Sequence, residues 1–133
     1  MSTTVIIPTK NEVMGVEKIL PQVKKEWADE WIVMDGNSKD GTVDAAKKLN
    51  FNVIQQTGKG AGNACREGVK HAHSENVLFF HPDGNCKPEY IPKLIKKLEE
   101  GNYDVVQISR FGKSGSSDDD DFLTAFGNQM FTF

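Results

Sequence analysis

Two clusters of glycine, carboxylate and polar side chains stand out in the chain, and each follows an apolar stretch. The first covers residues 34–42 and contains an Asp-Gly pair; the second, residues 81–85, reads His-Pro-Asp-Gly-Asn. Carboxylate and amide oxygens are the ligands that hard divalent cations prefer, and glycine lets a backbone approach a ligand closely. These residue types predict a site that handles a nucleotide and a metal ion.

Five apolar stretches must position these clusters. They are residues 5–7, 31–34, 51–54, 76–80 and 104–108. Most are too continuous for a sheet with one wet face, and segments of helical length, with apolar residues three and four apart, lie between them. The alternation predicts an α/β domain with a parallel sheet, whose strands all end at the edge where such sheets bind ligands.

Local signals indicate where the helices begin. We expect the first near Asn11 or Glu12, where the Asn11 side chain can cap it, and the second after a cap at Ser38 or Asp40. The third should follow the glycine-rich loop at residues 58–62, and the fourth should begin at Pro88, since proline is favoured in a first turn.

Length and charge limit the class of protein. A chain of 133 residues is one domain by length, and its net charge of -3, with scattered basic residues, argues against nucleic acid as a partner. No stretch approaches the roughly 20 apolar residues of a membrane span. The two cysteines lack paired metal-type spacing, which favours reduced thiols and a cytoplasmic location.

The pattern changes near the end of the chain. We expect a core at residues 1–111, a mobile loop at 112–118 and an amphipathic, incomplete helix at 119–133. An apolar helix that stops without a cap suggests a surface for a second copy or a membrane partner, or a longer natural protein.

Five motifs occur in the order seen in family 2 glycosyltransferases of the GT-A fold. They read VIIPTKNE at 5–12, DGNSKDGT at 35–42, GKG at 58–60, DG at 83–84 and SRF at 109–111. The chain most resembles the dolichyl- and polyprenyl-phosphate sugar transferases. The resemblance implies a three-layer α/β/α Rossmann-like fold. It also implies transfer of a sugar from a nucleotide-diphosphate donor to an acceptor such as a lipid phosphate, at the cytoplasmic face of the membrane.

The resemblance also implies which residues contact the nucleotide-sugar. They are Pro8, Thr9, Glu12, Asp35, Lys59, Gly60 and Asp83. Three of them have a structural alternative that stays open: Glu12 suits a helix start, Asp35 suits a turn, and Gly60 lets a loop turn tightly.

The family's Asp-x-Asp metal motif falls on the second cluster. His81 stands in place of the first acid, Asp83 is the second, and Asn85 can add an oxygen ligand. Magnesium prefers oxygen ligands, whereas an imidazole shifts the preference toward manganese, so the resemblance implies Mg²⁺ or Mn²⁺. The alternative for His81 is a strand-end histidine that bonds to a neighbour.

Asp83 and Arg110 are the expected catalytic residues, because the family's arginine contacts phosphate and both would stabilise the departing diphosphate in an inverting transfer. The alternative for Arg110 is a surface ion pair. A phosphate acceptor is already anionic and needs no strong general base. A hydroxyl acceptor would need one, for which the acids near Asp118 are candidates.

Two other functions compete with transfer. A truncated or inactive transferase domain would bind nucleotide-sugar, or dock onto a partner, without turnover. A dinucleotide-dependent oxidoreductase fits less well, because the third glycine of residues 58–62 falls one place early for the dinucleotide fingerprint.

Overall fold

The computed structural model describes residues 1–108. Its strands are β1 (Thr3–Thr9), β2 (Glu30–Asp35), β3 (Asn52–Gln55) and β4 (Asn76–Phe79), and its α-helices are α1 (Val13–Ile19), α2 (Thr42–Lys48), α3 (Ala61–His71) and α4 (Tyr90–Glu100). The four strands form one parallel sheet in the order β3-β2-β1-β4. The predicted α/β class with a parallel sheet is confirmed.

Both faces of the sheet are covered, which explains why the apolar stretches are continuous. Ile6 lies in a cluster with Ala64 of α3. Its neighbour Val5 points to the opposite face, into a larger cluster with Val16 of α1 and Ala46 of α2. Successive strand residues therefore enter different cores, and the architecture has three layers, α/β/α.

The strand register decides which residues reach the carboxyl edge together. Thr9 is paired with Asp35, and Asp35 with Gln55, so three strands end level with one another. The fourth strand ends earlier: Phe80 donates its backbone N–H to the carbonyl of Ile6 at 3.0 Å. The chain thus leaves the sheet at His81, beside the last residues of β1.

The predicted fifth strand, residues 104–108, is wrong within the described part of the chain. This segment has no strand structure; Val105 is 78% exposed and Ile108 41% exposed. It lies across a cavity of about 510 Å³ from β4, so it makes no ladder with that strand. An apolar run indicates a tendency toward burial, whereas a strand also needs an adjacent strand with which it can pair in register.

The fourth helix begins two residues later than predicted. Pro88 and Glu89 form a preceding turn, in which Tyr90 donates its backbone N–H to the carbonyl of Lys87 at 3.1 Å. No helix within residues 1–108 combines the length and apolar character that a bilayer span requires. The predicted loop at 112–118 and helix at 119–133 lie outside the described residues.

Candidate functional site

A cleft of about 560 Å³ opens at the carboxyl edge of the sheet. The ends of β1, β2 and β3 and the start of α3 form its walls, which is where a parallel α/β sheet is expected to bind ligands. Its lining residues are Pro8, Thr9, Lys10, Glu12, Gly36, Asn37, Gln56, Thr57, Gly58, Lys59, Gly60, Ala61, Ala64 and His81.

Six of the residues that the sequence singled out line this one cleft. They are Pro8, Thr9, Glu12, Lys59, Gly60 and His81. They come from three separate segments of the chain, brought together because the strands are parallel and end at the same edge. The structure therefore groups residues that the motifs had placed up to 73 positions apart, from Pro8 to His81.

Sequence reasoning missed four polar members of the lining, Lys10, Asn37, Gln56 and Thr57, and two of these bond to nearby backbone. The ammonium of Lys10 donates to the carbonyl oxygen of Gly36 at 2.6 Å, and the buried Gln56 donates its side-chain amide to the carbonyl of Gly58 at 2.9 Å. Each directly follows a strand, and that position was the signal that could have found them. The Lys10 bond ties the end of β1 to the β2–α2 loop, whereas the Gln56 bond lies within the β3–α3 loop.

Asp35 is fully buried and is not among the lining residues. Its Oδ1 accepts hydrogen bonds from the hydroxyls of Thr9 at 2.9 Å and Ser38 at 2.6 Å, and its Oδ2 accepts one from the Ser38 backbone N–H at 2.9 Å. Burial opposes ionisation, but these bonds outweigh it and hold the pKa of Asp35 below its ordinary value. In this structure the carboxylate joins the ends of β1 and β2 behind the cleft wall.

The start of α1 is stabilised from the β2–α2 loop and not by Asn11, so the predicted cap is wrong. Asn11 adopts a left-handed backbone conformation with φ of 52°, and its side-chain oxygen accepts a bond from the backbone N–H of Lys39 at 2.8 Å. An N-cap residue usually has a β-region backbone, which Asn11 lacks, and the backbone N–H groups of residues 11–13 bond to side chains 27–30 residues further along the chain.

Asp40 instead accepts hydrogen bonds at the starts of both α1 and α2. One carboxylate oxygen accepts from the backbone N–H of Val13 at 3.2 Å, and the other accepts from the backbone N–H of Thr42 at 3.1 Å and from the Thr42 hydroxyl. The Thr42 hydroxyl bond is the main reason that the pKa of Asp40 is lowered. The Thr42 hydroxyl also accepts from the backbone N–H of Glu12 at 3.0 Å, which fixes Glu12 in the cleft wall.

The β4–α4 loop carries the three expected metal ligands. His81 lines the cleft, whereas Asp83 and Asn85 are exposed on the loop beyond it and are not lining residues. Asp83 accepts a bond from the backbone N–H of Asn85 at 3.0 Å, and Gly84 between them has φ of 84°. The turn therefore presents the Asp83 carboxylate to solvent and not to the core.

A divalent cation needs several ligands around one point. No group of three or more His, Cys, Asp or Glu side chains converges on one point within residues 1–108. Mg²⁺, however, is usually bound through one or two carboxylates, with substrate phosphates and water completing its shell. One exposed carboxylate on the same loop as a cleft-lining imidazole fits such a shared site, in which a bound ligand would supply the other ligands of the cation.

This loop is packed tightly against α1. A Cβ added at Gly15 would lie 1.8 Å from the Pro82 carbonyl oxygen, so only glycine lets the two backbones approach this closely. The loop position thus depends on α1. Arg110, the other expected catalytic residue, lies outside the described residues.

Comparison with known proteins identifies a family and several sequence relatives. The family model for glycosyl transferase family 2 matches residues 4–132. Glycosyltransferase AglJ of Haloferax volcanii is 33% identical over 108 residues, which are 80% of this chain and 35% of that protein. The dolichol-phosphate mannosyltransferase of Pyrococcus furiosus is 32% identical over 123 residues, 86% of this chain and 35% of that protein. The chain thus spans about a third of the length of these relatives.

Comparison with solved structures supports the same family and shows the fold. Glucosyl-3-phosphoglycerate synthase of Mycobacterium tuberculosis, in complex with Mn²⁺, uridine diphosphate and glucosyl-3-phosphoglycerate, superposes with a TM-score of 0.66 at 26% identity. The match covers 76% of this chain and 40% of that chain. The three-layer α/β/α domain therefore has a GT-A fold, and the chain belongs to glycosyl transferase family 2.

Proposed function

We propose that this chain is the donor-binding part of a glycosyltransferase that moves a sugar from a nucleotide diphosphate to an acceptor. The observation that carries the proposal is the cleft of about 560 Å³ at the carboxyl edge, built by motifs of a transferase family. Its volume lies within the range of about 300–1,000 Å³ that is common for small-molecule sites.

The cleft offers separate groups for the parts of such a donor. Pro8, Thr9 and Glu12 contact the base and ribose at the end of β1, and Lys59 with Gly60 faces the diphosphate from the start of α3. The lysine ammonium supplies positive charge to a dianionic group. Asp35 fixes the wall between these two parts of the cleft through its bonds to Thr9 and Ser38.

The β4–α4 loop provides the metal position. Asp83, His81 and Asn85 would hold Mg²⁺ or Mn²⁺, and the solved relative contains Mn²⁺ in one complex and Mg²⁺ in another, each with uridine diphosphate. When bound, such a cation neutralises negative charge on the departing diphosphate. Arg110 is proposed to add a guanidinium to the same phosphates.

We propose that the acceptor carries a phosphate, with polyprenyl phosphate as the leading candidate. One relative is a dolichol-phosphate mannosyltransferase, and the solved relative has been captured with phosphoglyceric acid. An anionic acceptor attacks without a strong general base, and attack in line behind the anomeric carbon inverts its configuration. A lipid acceptor would place the protein at the cytoplasmic face of the membrane.

A thermal-shift panel tests donor and metal binding. Uridine and guanosine diphosphates and their sugars are added with and without Mn²⁺, since a ligand that binds only the folded state raises its melting temperature. At a hundred times the dissociation constant the expected rise is roughly 10 °C. We expect Asp83→Ala to lose the Mn²⁺-dependent part of this rise.

The matched control is Asp44→Ala, which removes an exposed carboxylate from α2, away from the cleft lining. It should keep the full Mn²⁺ effect. Equal Mn²⁺-dependent shifts in Asp83→Ala and Asp44→Ala would contradict the metal position. No shift with any nucleotide diphosphate would contradict donor binding as a whole.

A second candidate is a binding module without turnover. The observation that favours it is the imidazole of His81 at the position of the first acid, which leaves Asp83 as the one carboxylate within residues 81–85. Nucleotide-sugar consumption measured with phosphoglycerate and with polyprenyl phosphate separates the two. Binding with no sugar transfer to either acceptor would favour the module.

A further inference from the structure

The loop between β3 and α3, residues 57–60, forms one wall of the cleft. The backbone ladder that precedes it closes with Gln56, which donates its N–H to the carbonyl of Asp35 at 2.8 Å. The next residues continue as an exposed loop until α3 begins at Ala61. The shape of this wall therefore depends on what the loop contacts.

One carboxylate from α3 holds this loop. Glu67 Oε1 accepts hydrogen bonds from the Thr57 hydroxyl at 2.7 Å and the Gly58 backbone N–H at 3.0 Å, and Oε2 accepts one from the Thr57 backbone N–H at 2.9 Å. Asn63, one helical turn earlier, donates its side-chain amide to Oε1 at 2.8 Å. Four donor groups thus converge on a single side chain.

Two features of the sequence let these four donors reach Glu67. Residues four apart on a helix share a face, which places Asn63 beside Glu67. A Cβ added at Gly58 would lie 2.4 Å from the side-chain nitrogen of Asn63, so a larger residue at 58 would displace the amide. The bonds, led by that from the Thr57 hydroxyl, lower the pKa of Glu67 to about 2, and the carboxylate is ionised at neutral pH.

We propose that Glu67 is a positioning residue that holds residues 57–60 in the conformation that receives the donor diphosphate. This inference rests on the proposed function. The carboxylate engages the backbone N–H groups of Thr57 and Gly58 from the helix side, and these two residues line the cleft together with Lys59 and Gly60. A loop ordered before binding loses less conformational entropy when the ligand arrives, which increases affinity.

Limited proteolysis tests the loop without any nucleotide. Trypsin cleaves after lysine, and Lys59 lies in the exposed loop. In Glu67→Ala we expect cleavage after Lys59 to become about tenfold faster relative to cleavage after Lys47 of α2, because the lost bonds favour local opening. The ratio separates a loosened loop from general unfolding, which would expose both sites.

Nucleotide affinity supplies the second readout. By calorimetry with the nucleoside diphosphate that binds the wild type, Glu67→Ala should bind about tenfold more weakly. Glu67→Gln, which keeps Oε1 as an acceptor, should lie between Glu67→Ala and the wild type in both assays. Glu99→Ala, the same change at an exposed position of α4, should match the wild type.

The outcomes distinguish this inference from the proposed function. Faster cleavage after Lys59 with unchanged nucleotide affinity would overturn the positioning role, and so would an unchanged cleavage ratio. If the wild type binds no nucleotide, the proposed function fails, while the cleavage ratio still decides whether Glu67 orders the loop. Should Glu67→Ala fail to fold, Thr57→Val removes one hydroxyl bond and must show the same two effects to a smaller degree.

Discussion

Replacing Gly15 by alanine probes the contact between α1 and the loop that carries His81 and Asp83. The new Cβ would lie 1.8 Å from the Pro82 carbonyl oxygen and 3.0 Å from its carbon, and contacts under 3.0 Å essentially never occur. Both neighbours are backbone atoms that cannot rotate away. One of the two segments must therefore move by about 1 Å, and a close-packed structure resists such a shift.

The size of the effect follows from two opposing terms. Alanine gains up to about 1 kcal/mol over glycine inside a helix, whereas forcing an extra methyl group into a packed site costs about 1–3 kcal/mol. We expect Gly15→Ala to lower the free energy of unfolding by about 1–2 kcal/mol. Displacement of the β4–α4 loop should also weaken Mn²⁺-dependent nucleotide binding by about tenfold, because ligand geometry is sensitive to shifts of about 1 Å.

Gly62→Ala is the matched control, since Gly62 is also helical but has no atom within 4 Å of an added Cβ. It should leave stability unchanged or raise it by about 0.5 kcal/mol. Urea denaturation followed by circular dichroism gives the unfolding free energies, and calorimetry gives the affinities. If Gly15→Ala were as stable as Gly62→Ala and bound nucleotide equally well, the proposed coupling between α1 and the metal loop would be refuted.

Two further predictions concern buried and paired carboxylates. Asp35→Ala should lower the free energy of unfolding by about 2–4 kcal/mol, because the Thr9 hydroxyl and the Ser38 N–H lose their acceptor. Asp35→Asn should lower it by less. Equal urea midpoints for wild type and Asp35→Ala would disprove this. Glu30 has a pKa lowered to about 2, chiefly by the Thr4 hydroxyl bond at 2.6 Å, with bonds from His73 adding to it. Its folded pKa lies below the ordinary value of 4.5, so its contribution is complete above about pH 4.5 and is lost as pH falls toward 2. The difference in urea midpoint between wild type and Glu30→Gln should therefore shrink from pH 7 to pH 3, and a constant difference would count against the Thr4–Glu30–His73 contact.

Much of the fold could be predicted because buried strand positions are occupied by apolar residues, and these can be recognised in the sequence. Val5 and Ile6 point to opposite faces of the sheet, and both are fully buried, so a continuous apolar run correctly indicated a sheet covered on both sides. The same rule failed at residues 104–108, because Val105 is apolar but exposed, and pairing requires a partner that composition cannot specify.

The sequence by itself determined the family, the alternation of strands and helices along the chain, and six of the residues that line the cleft. Those features depend on local pattern and on motifs a few residues long. Only the tertiary structure decided that Asp40 would serve the starts of both α1 and α2, that Asp35 would be enclosed between Thr9 and Ser38, and that Glu67 would hold the loop at Thr57. The reason is physical: a hydrogen bond needs its donor within about 3 Å, and these partners are brought to that distance by the sheet register and the helix packing.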